Sequence, residues 1–200
     1  MAISVFVEGV SDLRFFHNLF EVSEKFNKDG FTICDATFNL GGSKEQVFRK
    51  CNNILEKHQK AFAIVDADFD NNQELERLGL NGLKNTKTYC DGIKNSNTNN
   101  FDYFIIENIL EDLAVSEILT NKAFNFDCLP KLIELYNCSG ADSSKSIKGL
   151  AVCYASFCGD YDGHNDFFAN DSLIKKILNN EKCKNIKQQI ETKLNTLKGL

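Results

Sequence analysis

The chain has 200 residues, of which 42% are apolar and 26% charged, which fits a globular protein with one good core. A formal net charge of -5 and a sequence pI of about 5.3 exclude an overall positive field, so any nucleic-acid partner requires a local basic patch or a bridging metal. The sequence has no signal-peptide pattern, no C-x-x-C pair and no apolar run near the roughly 18 residues of a membrane helix, so we expect a cytoplasmic protein with free thiols and no membrane contact.

The first third of the chain alternates between strand and helix patterns. Ser43 and Gln46 form a capping-box pair before the second helix, and Ser11 is placed to cap the first. The predicted elements are a strand at 2–7, a helix at 11–26, a strand at 31–40, a helix at 44–58 and a strand at 61–67. This order predicts right-handed crossovers and a mostly parallel sheet flanked by helices.

The signal weakens after residue 68 and becomes helical towards the end of the chain. A short helix is predicted at 72–80, and the Asn-rich stretch 84–100 is interpreted as a loop with room for a short strand. The later predictions are a strand at 101–106 and helices at 108–119, 129–136, 144–157, 171–180 and 186–197. The sequence therefore predicts an α/β core over 1–120 and a helical extension over 121–200, packed together as one compact unit.

Acidic residues follow two of the predicted strands. Glu8 follows the first strand, Asp66 and Asp68 follow the third, and Asp12 lies one turn into the first helix. Because the carboxyl ends of parallel strands share one edge of the sheet, these carboxylates are expected to converge there. Crowded carboxylates require a compensating cation, and hard oxygen ligands favour Mg²⁺ or Mn²⁺. Gly9 would let the backbone turn sharply beneath such a metal.

The D-x-D spacing carries its own prediction. If the pleat of the strand persists, Asp66 and Asp68 point to the same side, with Ala67 on the other. A lone D-x-D is also typical of a solvated strand end. Its combination with an E-G-x-x-D after the first strand is more specific for a metal site.

The strings "VEGVSD" and "VDADFD" resemble the TOPRIM domain of type IA topoisomerases, bacterial primases, small RNA maturases and overcoming-lysogenization-defect nucleases. Glu8 corresponds to the first-motif glutamate of that family, and Asp66 and Asp68 match its D-x-D. Asp12 fits the acidic residue that follows the E-G in the nuclease branch. The resemblance covers roughly the first half of the chain and implies a Rossmann-like TOPRIM core.

Two further elements extend the resemblance. The turn formed by Gly41, Gly42 and Ser43 fits the element between the two motifs. The string "ILEDLAVSEI" is similar to a Leu-Glu-Asp-Leu element of small TOPRIM-related proteins, which implies Glu111 as a further metal ligand. Glu107, at the end of "FDYFIIE", is the alternative for that role.

The resemblance implies a metal-dependent nuclease that cleaves DNA or RNA. Glu8, Asp66 and Asp68 would hold Mg²⁺ or Mn²⁺, with a second ion near Asp12 or Glu111. The chain has no phosphate-binding G-x-x-x-x-G-K-[ST] loop, so any ATPase would be a separate partner.

Four lysines are candidates for contacts with a nucleic acid. Lys145 and Lys148 flank a helix start, where most lysines are solvated. In a TOPRIM nuclease, one of them could lie over the scissile phosphate, and we assign this catalytic role to Lys148. Lys175 and Lys176 belong to a locally basic segment suited to the phosphate backbone.

Two other functions fit parts of the pattern. One is a TOPRIM module that binds nucleic acid or a partner protein without catalysis. The other is a phosphatase of the haloacid dehalogenase type, from which "DADFDNN" departs because it follows the third strand and lacks the usual Thr or Gly.

Overall fold

The computed structural model is an α/β protein with a five-stranded, mostly parallel sheet flanked by helices, as the sequence predicts. It describes residues 2–68, 80–107, 110–124, 127–138, 144–158, 167–169 and 171–199. Within these ranges no helix has both the length and the apolar character needed to cross a membrane. The predicted helix at 72–80 lies outside the described residues except at Leu80.

The strands and helices alternate along the first two thirds of the chain, and the last third is helical. The strands are β1 (Ile3–Val7), β2 (Phe31–Ile33), β3 (Ala36–Leu40), β4 (Lys60–Asp66) and β5 (Phe101–Ile106). The helices are α1 (Val10–Leu19), α2 (Lys44–Leu55), α3 (Gly82–Ser96), α4 (Glu111–Thr120), α5 (Leu129–Cys138), α6 (Ser144–Cys158), α7 (Asp171–Leu178) and α8 (Glu181–Lys198), with 3-10 turns at Lys122–Phe124 and Phe167–Ala169.

The strand order is β2-β3-β1-β4-β5, which places β1 beside β4. β1 pairs in parallel with β3 and β4, and β4 pairs in parallel with β5. The prediction that the first and third predicted strands are neighbours is therefore confirmed. Their carboxyl ends bring the residues after Val7 and at Asp66 to one edge of the sheet, which we call the carboxyl edge.

The stretch 31–40 is a hairpin, so the prediction of a single strand there is wrong. β2 and β3 pair antiparallel, with Phe31 opposite Phe38. The turn between them holds Cys34 and Asp35 at φ of 45° and 68°, in the left-handed region that ends a strand. Apolar residues lie on both sides of this turn and suggested one strand, although Asp35 interrupts the run and the apolar alternation changes phase there.

The stretch 84–100 contains helix α3 rather than a loop, so that prediction is also wrong. Its Asn and Thr residues have low helix propensity, but tertiary packing overrides it. Thr86 and Cys90, one turn apart, are fully buried and face the sheet, and Ile93 packs beside them. Helix α1, in turn, ends at Leu19 rather than continuing to residue 26, because Glu21 takes a left-handed φ of 53°.

The strands alternate between two hydrophobic layers. Ala63 and Val65 of β4 face α2 and α3, whereas Phe62 and Ile64 face α1 and the helices from α4 onward. Residues from the last third of the chain, including Phe124, Tyr154, Ile177 and Leu194, belong to the same hydrophobic cluster as the second face. Helix α8 packs on β5, and the other helices after residue 120 contribute to the same hydrophobic cluster, while a domain division at that point stays a prediction.

Candidate functional site

Glu8 and Asp66 are joined directly at the carboxyl edge. The backbone N–H of Asp66 donates a hydrogen bond of 2.9 Å to Oε1 of Glu8. The Glu8 carbonyl in turn accepts from the N–H of Gly42 at 3.1 Å. The Glu8 side chain thus links the ends of β1 and β4 through the main chain of Asp66.

The glycine turn brings helix α2 close to the end of β1. The Gly41 N–H donates to the Val7 carbonyl at 2.6 Å, and a Cβ on Gly41 would lie 2.3 Å from Cγ2 of Val47. Gly42 has a φ of +102°, which side chains rarely allow. The predicted capping box is present in its Gln46 half, because the Ser43 N–H donates to Oε1 of Gln46 at 3.3 Å.

Asp12 lies at the start of α1, close to both acids. The N-cap of α1 is Gly9 and not the predicted Ser11, and the Gly9 N–H donates to Oδ2 of Asp12 at 2.5 Å. The negative charge of Asp12 raises the pKa of Glu8 and of Asp66. The E-G-x-x-D string therefore places two carboxylates at the edge and uses its glycine to begin the helix between them.

Asp68 departs from the direction that the D-x-D spacing predicts. The condition of that prediction, a pleat that continues past the strand, is not met, because β4 ends at Asp66 and Asp68 has a left-handed φ of 59°. Oδ2 of Asp68 lies 2.7 Å from Nζ of Lys44, the first residue of α2. The second acid of the motif is therefore paired with a lysine.

Lys44 is the residue that sequence reasoning missed. Its side chain is 1% exposed, and its Nζ also contacts the carbonyls of Ala67 and Leu80 at 3.2 and 3.1 Å and Oγ1 of Thr86 at 3.4 Å. The signal was in the sequence, because position 44 falls on the apolar stripe of α2 that continues at 47, 48, 51 and 55. A lysine on such a stripe must be buried, and a buried lysine requires an acidic partner.

Burial dominates the electrostatics of Glu8. Burial, with the charges of Asp12 and Asp68 adding to its effect, raises the pKa of Glu8 to about 8. The positive charge of Lys44 and the hydrogen bond from Asp66 act in the opposite direction. Glu8 is therefore harder to ionise than an ordinary glutamate, and a further cation would favour its charged form.

Asp66 has the same electrostatic character. Burial raises its pKa well above the usual range, and the charges of Asp12, Glu8, Glu111 and Asp68 all add to that rise. Because both acids resist ionisation, the carboxyl edge carries too little positive charge to balance its carboxylates. Groups perturbed in this way are candidates for binding or catalysis.

Glu111 acts electrostatically on this cluster. Its charge, in the first turn of α4, adds to the rise that burial causes in the pKa of Asp66. Glu107 is exposed at the end of β5 and lines a cavity of about 320 Å³ together with Asp112 and Lys182. The electrostatic effect on Asp66 favours Glu111 as the later acid of the site.

The four candidate lysines differ in position. Lys148 is exposed, and its Nζ lies 3.8 Å from Oε1 of Glu111, so it borders the acidic cluster. Lys175 lines a groove with His17 and Glu21, at the far end of α1 from Asp12. Lys176 is exposed with its Nζ 5.6 Å from the ring centre of Phe124, and the side chain of Lys145 lies outside the described residues. Of the three candidate lysines whose side chains are described, Lys148 is the one placed beside Glu111.

The donor chemistry of the edge fits a divalent cation, but the present side-chain arrangement is incomplete. Glu8, Asp12 and Asp66 offer hard carboxylate oxygens, the ligands that Mg²⁺ and Mn²⁺ prefer. Among the described residues, however, no three His, Cys, Asp or Glu side chains are arranged so that they could hold a metal ion. A cation would therefore require these carboxylates to adopt new rotamers.

Comparison with known protein families, with curated proteins and with solved structures found no match for this chain. The TOPRIM resemblance therefore stays a prediction carried by the residues quoted above.

Proposed function

We propose that the protein is a Mg²⁺- or Mn²⁺-dependent phosphoryl-transfer enzyme, a nuclease of TOPRIM type that cleaves DNA or RNA phosphodiesters. One observation carries the proposal: the Glu8 carboxylate accepts a 2.9 Å hydrogen bond from the backbone N–H of Asp66 at the carboxyl edge, where burial raises the pKa of both acids. Such a pair gains most from a divalent cation, which would restore both charges at once.

Each residue at the carboxyl edge would have a defined role in the proposed reaction. Glu8 and Asp66 would hold the cation, with Asp12 completing the set through a change of rotamer. The bonds from Gly41 and Gly42 to Val7 and Glu8 keep the end of β1 fixed beneath the site. When bound, the metal would polarise the phosphodiester and lower the pKa of an attacking water.

Lys148 supports the choice of a phosphate substrate. Its exposed ammonium lies beside Glu111, close enough to the acidic cluster to meet a phosphate that a cation holds there. A positive charge at that position would stabilise negative charge that develops on the phosphate oxygens. A separately encoded ATPase could deliver the nucleic acid, since the chain has no phosphate-binding loop of its own.

The test is cleavage of labelled single-stranded DNA, duplex DNA and structured RNA, each with Mg²⁺, with Mn²⁺ and with a chelator. We expect metal-dependent cleavage that Glu8→Gln and Asp66→Asn abolish. Glu56→Gln is the matched control, because Glu56 is an exposed glutamate at the end of α2, away from the edge. Cleavage that persists in the chelator, or in both site variants, would refute the proposal.

A second candidate is a module that binds nucleic acid or a partner protein without catalysis. The Lys44–Asp68 ion pair favours it, because a lysine already supplies one positive charge at the edge. Metal-independent binding of a nucleic acid, with no cleavage of any substrate under any of the conditions above, would favour this candidate.

A further inference from the structure

We propose that the groove between α1, the segment 21–26 and α7 binds a phosphate monoester, either a free mononucleotide or the 5′-phosphorylated end of a nucleic acid. This groove, which we call the α1 groove, has a volume of about 540 Å³ and is lined by His17 and Lys175. It lies at the far end of α1 from Asp12, so it is separate from the carboxyl edge and requires no metal. Its occupation is therefore independent of the proposed nuclease activity.

A reversal of the chain after α1 builds one wall of the α1 groove. Glu21 takes a left-handed φ of 53°, a conformation that commonly ends a helix. The next residues fold back towards α1, so that the Glu24 carbonyl meets the His17 ring and the Phe26 ring meets the Arg14 guanidinium. The reversal thereby brings an imidazole and a guanidinium to the same groove.

His17 presents one ring nitrogen to the α1 groove. The residue is 7% exposed, and its Nε2 lies 2.9 Å from the Glu24 carbonyl oxygen, which can only accept, so Nε2 carries a proton and donates. Nδ1 has no hydrogen-bond partner among the described residues. No fully buried side-chain nitrogen or oxygen in the described part of the chain lacks a partner, so Nδ1 is not fully buried. Nδ1 therefore reaches the open space of the groove, where a ligand can pair with it.

Two aromatic rings fix the direction of that nitrogen. The His17 ring packs edge-to-face against Phe26 and Phe31, with centroid distances of 5.5 and 5.3 Å. Rotation of the imidazole would break both ring contacts and the hydrogen bond to Glu24. The position of Nδ1 is thus set before any ligand arrives, which lowers the entropy cost of binding.

The charges around the α1 groove favour an anion. The described residues that line it include three cations and two acids, namely Arg14, Lys25, Lys175, Glu21 and Glu24. Of the acids, Glu21 is already paired with Lys187, whose Nζ lies 3.0 Å from its Oε2. This local excess of positive charge contrasts with the net charge of -5 of the whole chain. An anion bound beside His17 would also favour the protonated imidazole, in which Nδ1 donates.

The size and the apolar part of the α1 groove indicate a ligand larger than inorganic phosphate. Its volume falls within the range of about 300–1,000 Å³ that is usual for small-molecule sites. Val22, Phe26 and Leu178 add apolar surface beside the cations. The Arg14 guanidinium lies 4.6 Å from the centre of the Phe26 ring, a stacking that orients its donors. A phosphate group joined to an organic group, as in a nucleotide, would use both the charged and the apolar parts.

The test is isothermal titration calorimetry in the presence of a chelator, with two matched pairs of probes. One pair is adenosine 5′-monophosphate and adenosine, and the other is a short single-stranded oligonucleotide with and without a 5′-phosphate. We expect the phosphorylated probe to bind at least about tenfold more tightly than its partner. A preference in only one pair would support the site and identify the source of the phosphate. Equal affinities within both pairs would overturn the proposal.

Nitrogen NMR of the histidine rings locates the ligand in the wild-type protein. We expect adenosine 5′-monophosphate, or the 5′-phosphorylated oligonucleotide if only that probe binds, to shift the Nδ1 resonance of His17. The resonances of His58 should stay unchanged, because His58 is exposed after the end of α2, on the other face of the sheet. An unchanged His17 resonance at saturating ligand would place the ligand elsewhere and overturn the proposal.

Three variants complete the test. His17→Gln keeps an amide that can donate to the Glu24 carbonyl but has no counterpart of Nδ1, so we expect affinity for the phosphorylated probe to fall about tenfold. Lys175→Gln, at an exposed position that tolerates substitution, should weaken binding by about two- to fivefold. Lys57→Gln is the matched control, an exposed lysine after α2 that should bind as the wild type does. Equal affinities of Lys175→Gln and Lys57→Gln would contradict the proposal even if His17→Gln does not fold.

Discussion

Two acidic sites in this molecule, one buried and one half-buried, are compensated very differently. Asp102 of β5 is 6% exposed, and its Oδ1 lies 2.9 Å from Nζ of Lys94 and 3.4 Å from Nζ of Lys193. It also accepts from the N–H of Tyr103 at 2.8 Å. At the carboxyl edge, by contrast, Lys44 pairs with Asp68, and the pKa values of Glu8 and Asp66 stay raised. A carboxylate paired with two lysines stabilises the fold. Acids without enough neighbouring positive charge are instead candidates for binding a cation.

The largest expected effect is the loss of Lys44. Lys44→Met leaves Asp68 and two buried carbonyls without their donor, so we expect the free energy of unfolding to fall by about 3 kcal/mol. Lys50→Met is expected to cost less than about 1 kcal/mol, because it removes one partly buried hydrogen bond. Urea denaturation of both variants in metal-free buffer checks the difference. Equal losses would mean that Lys44 is an ordinary surface lysine in energetic terms.

The second prediction is a difference in sign between the two acidic sites. Asp102→Asn should destabilise the protein by about 1–2 kcal/mol, since two lysines lose their anion. Glu8→Gln should stabilise the metal-free protein at pH 8, because it removes a charge that burial disfavours and keeps an oxygen that can accept from Asp66. Thermal melts with a chelator measure both shifts. Destabilisation of both variants would contradict the expected difference in sign between the two acidic sites.

The third prediction concerns pH. The pKa of Glu8 rises from an ordinary 4.5 to about 8 in the folded protein, so the folded state binds more protons than the unfolded state between these values. The contribution of Glu8 to metal-free stability should therefore be fully present below about pH 4.5 and be lost as the pH rises towards 8, by at most about 1.4 kcal/mol per pH unit. Glu8→Gln and millimolar Mg²⁺ should each flatten this decline. A slope unchanged by both would contradict the interpretation.

The smallest effects on stability are expected for the exposed lysines. Lys148→Ala should change the free energy of unfolding by less than about 0.5 kcal/mol, because its contact with Glu111 is exposed and long at 3.8 Å. It should nevertheless lower turnover more than binding, whereas Lys175→Ala, far from the edge, should weaken binding more than turnover. Steady-state cleavage kinetics of both variants check this split. Equal effects of Lys148→Ala and Lys175→Ala on turnover would contradict a role for Lys148 at the site.

The sequence predicted the parts of the fold that depend on strong apolar patterns. The strands around Val5, Phe62 and Phe104 are buried on both faces and appear as short apolar runs, and their order fixes the carboxyl edge. The hairpin turn at Cys34 and helix α3 were missed. Both depend on tertiary contacts, since a left-handed turn and a helix rich in Asn and Thr are locally weak signals.

The site was predicted in part for a similar reason. The ends of the apolar runs indicated Glu8 and Asp66, because a charged residue that directly follows a buried strand can be recognised from the sequence alone. The pairing of Asp68 with Lys44 depends on the left-handed φ at Asp68 and on the packing of α2 against the sheet. Neither can be read from the D-x-D spacing, although the apolar stripe of α2 pointed to the burial of Lys44.

The most direct test of the carboxyl edge as a metal site is a crystal structure of the protein grown with Mn²⁺, with anomalous scattering recorded near the manganese absorption edge. We predict an anomalous peak within about 2.0–2.3 Å of carboxylate oxygens of both Glu8 and Asp66, with the Lys44–Asp68 ion pair intact beside it. A crystal soaked at millimolar Mn²⁺ that shows no peak between Glu8 and Asp66 would contradict the central claim.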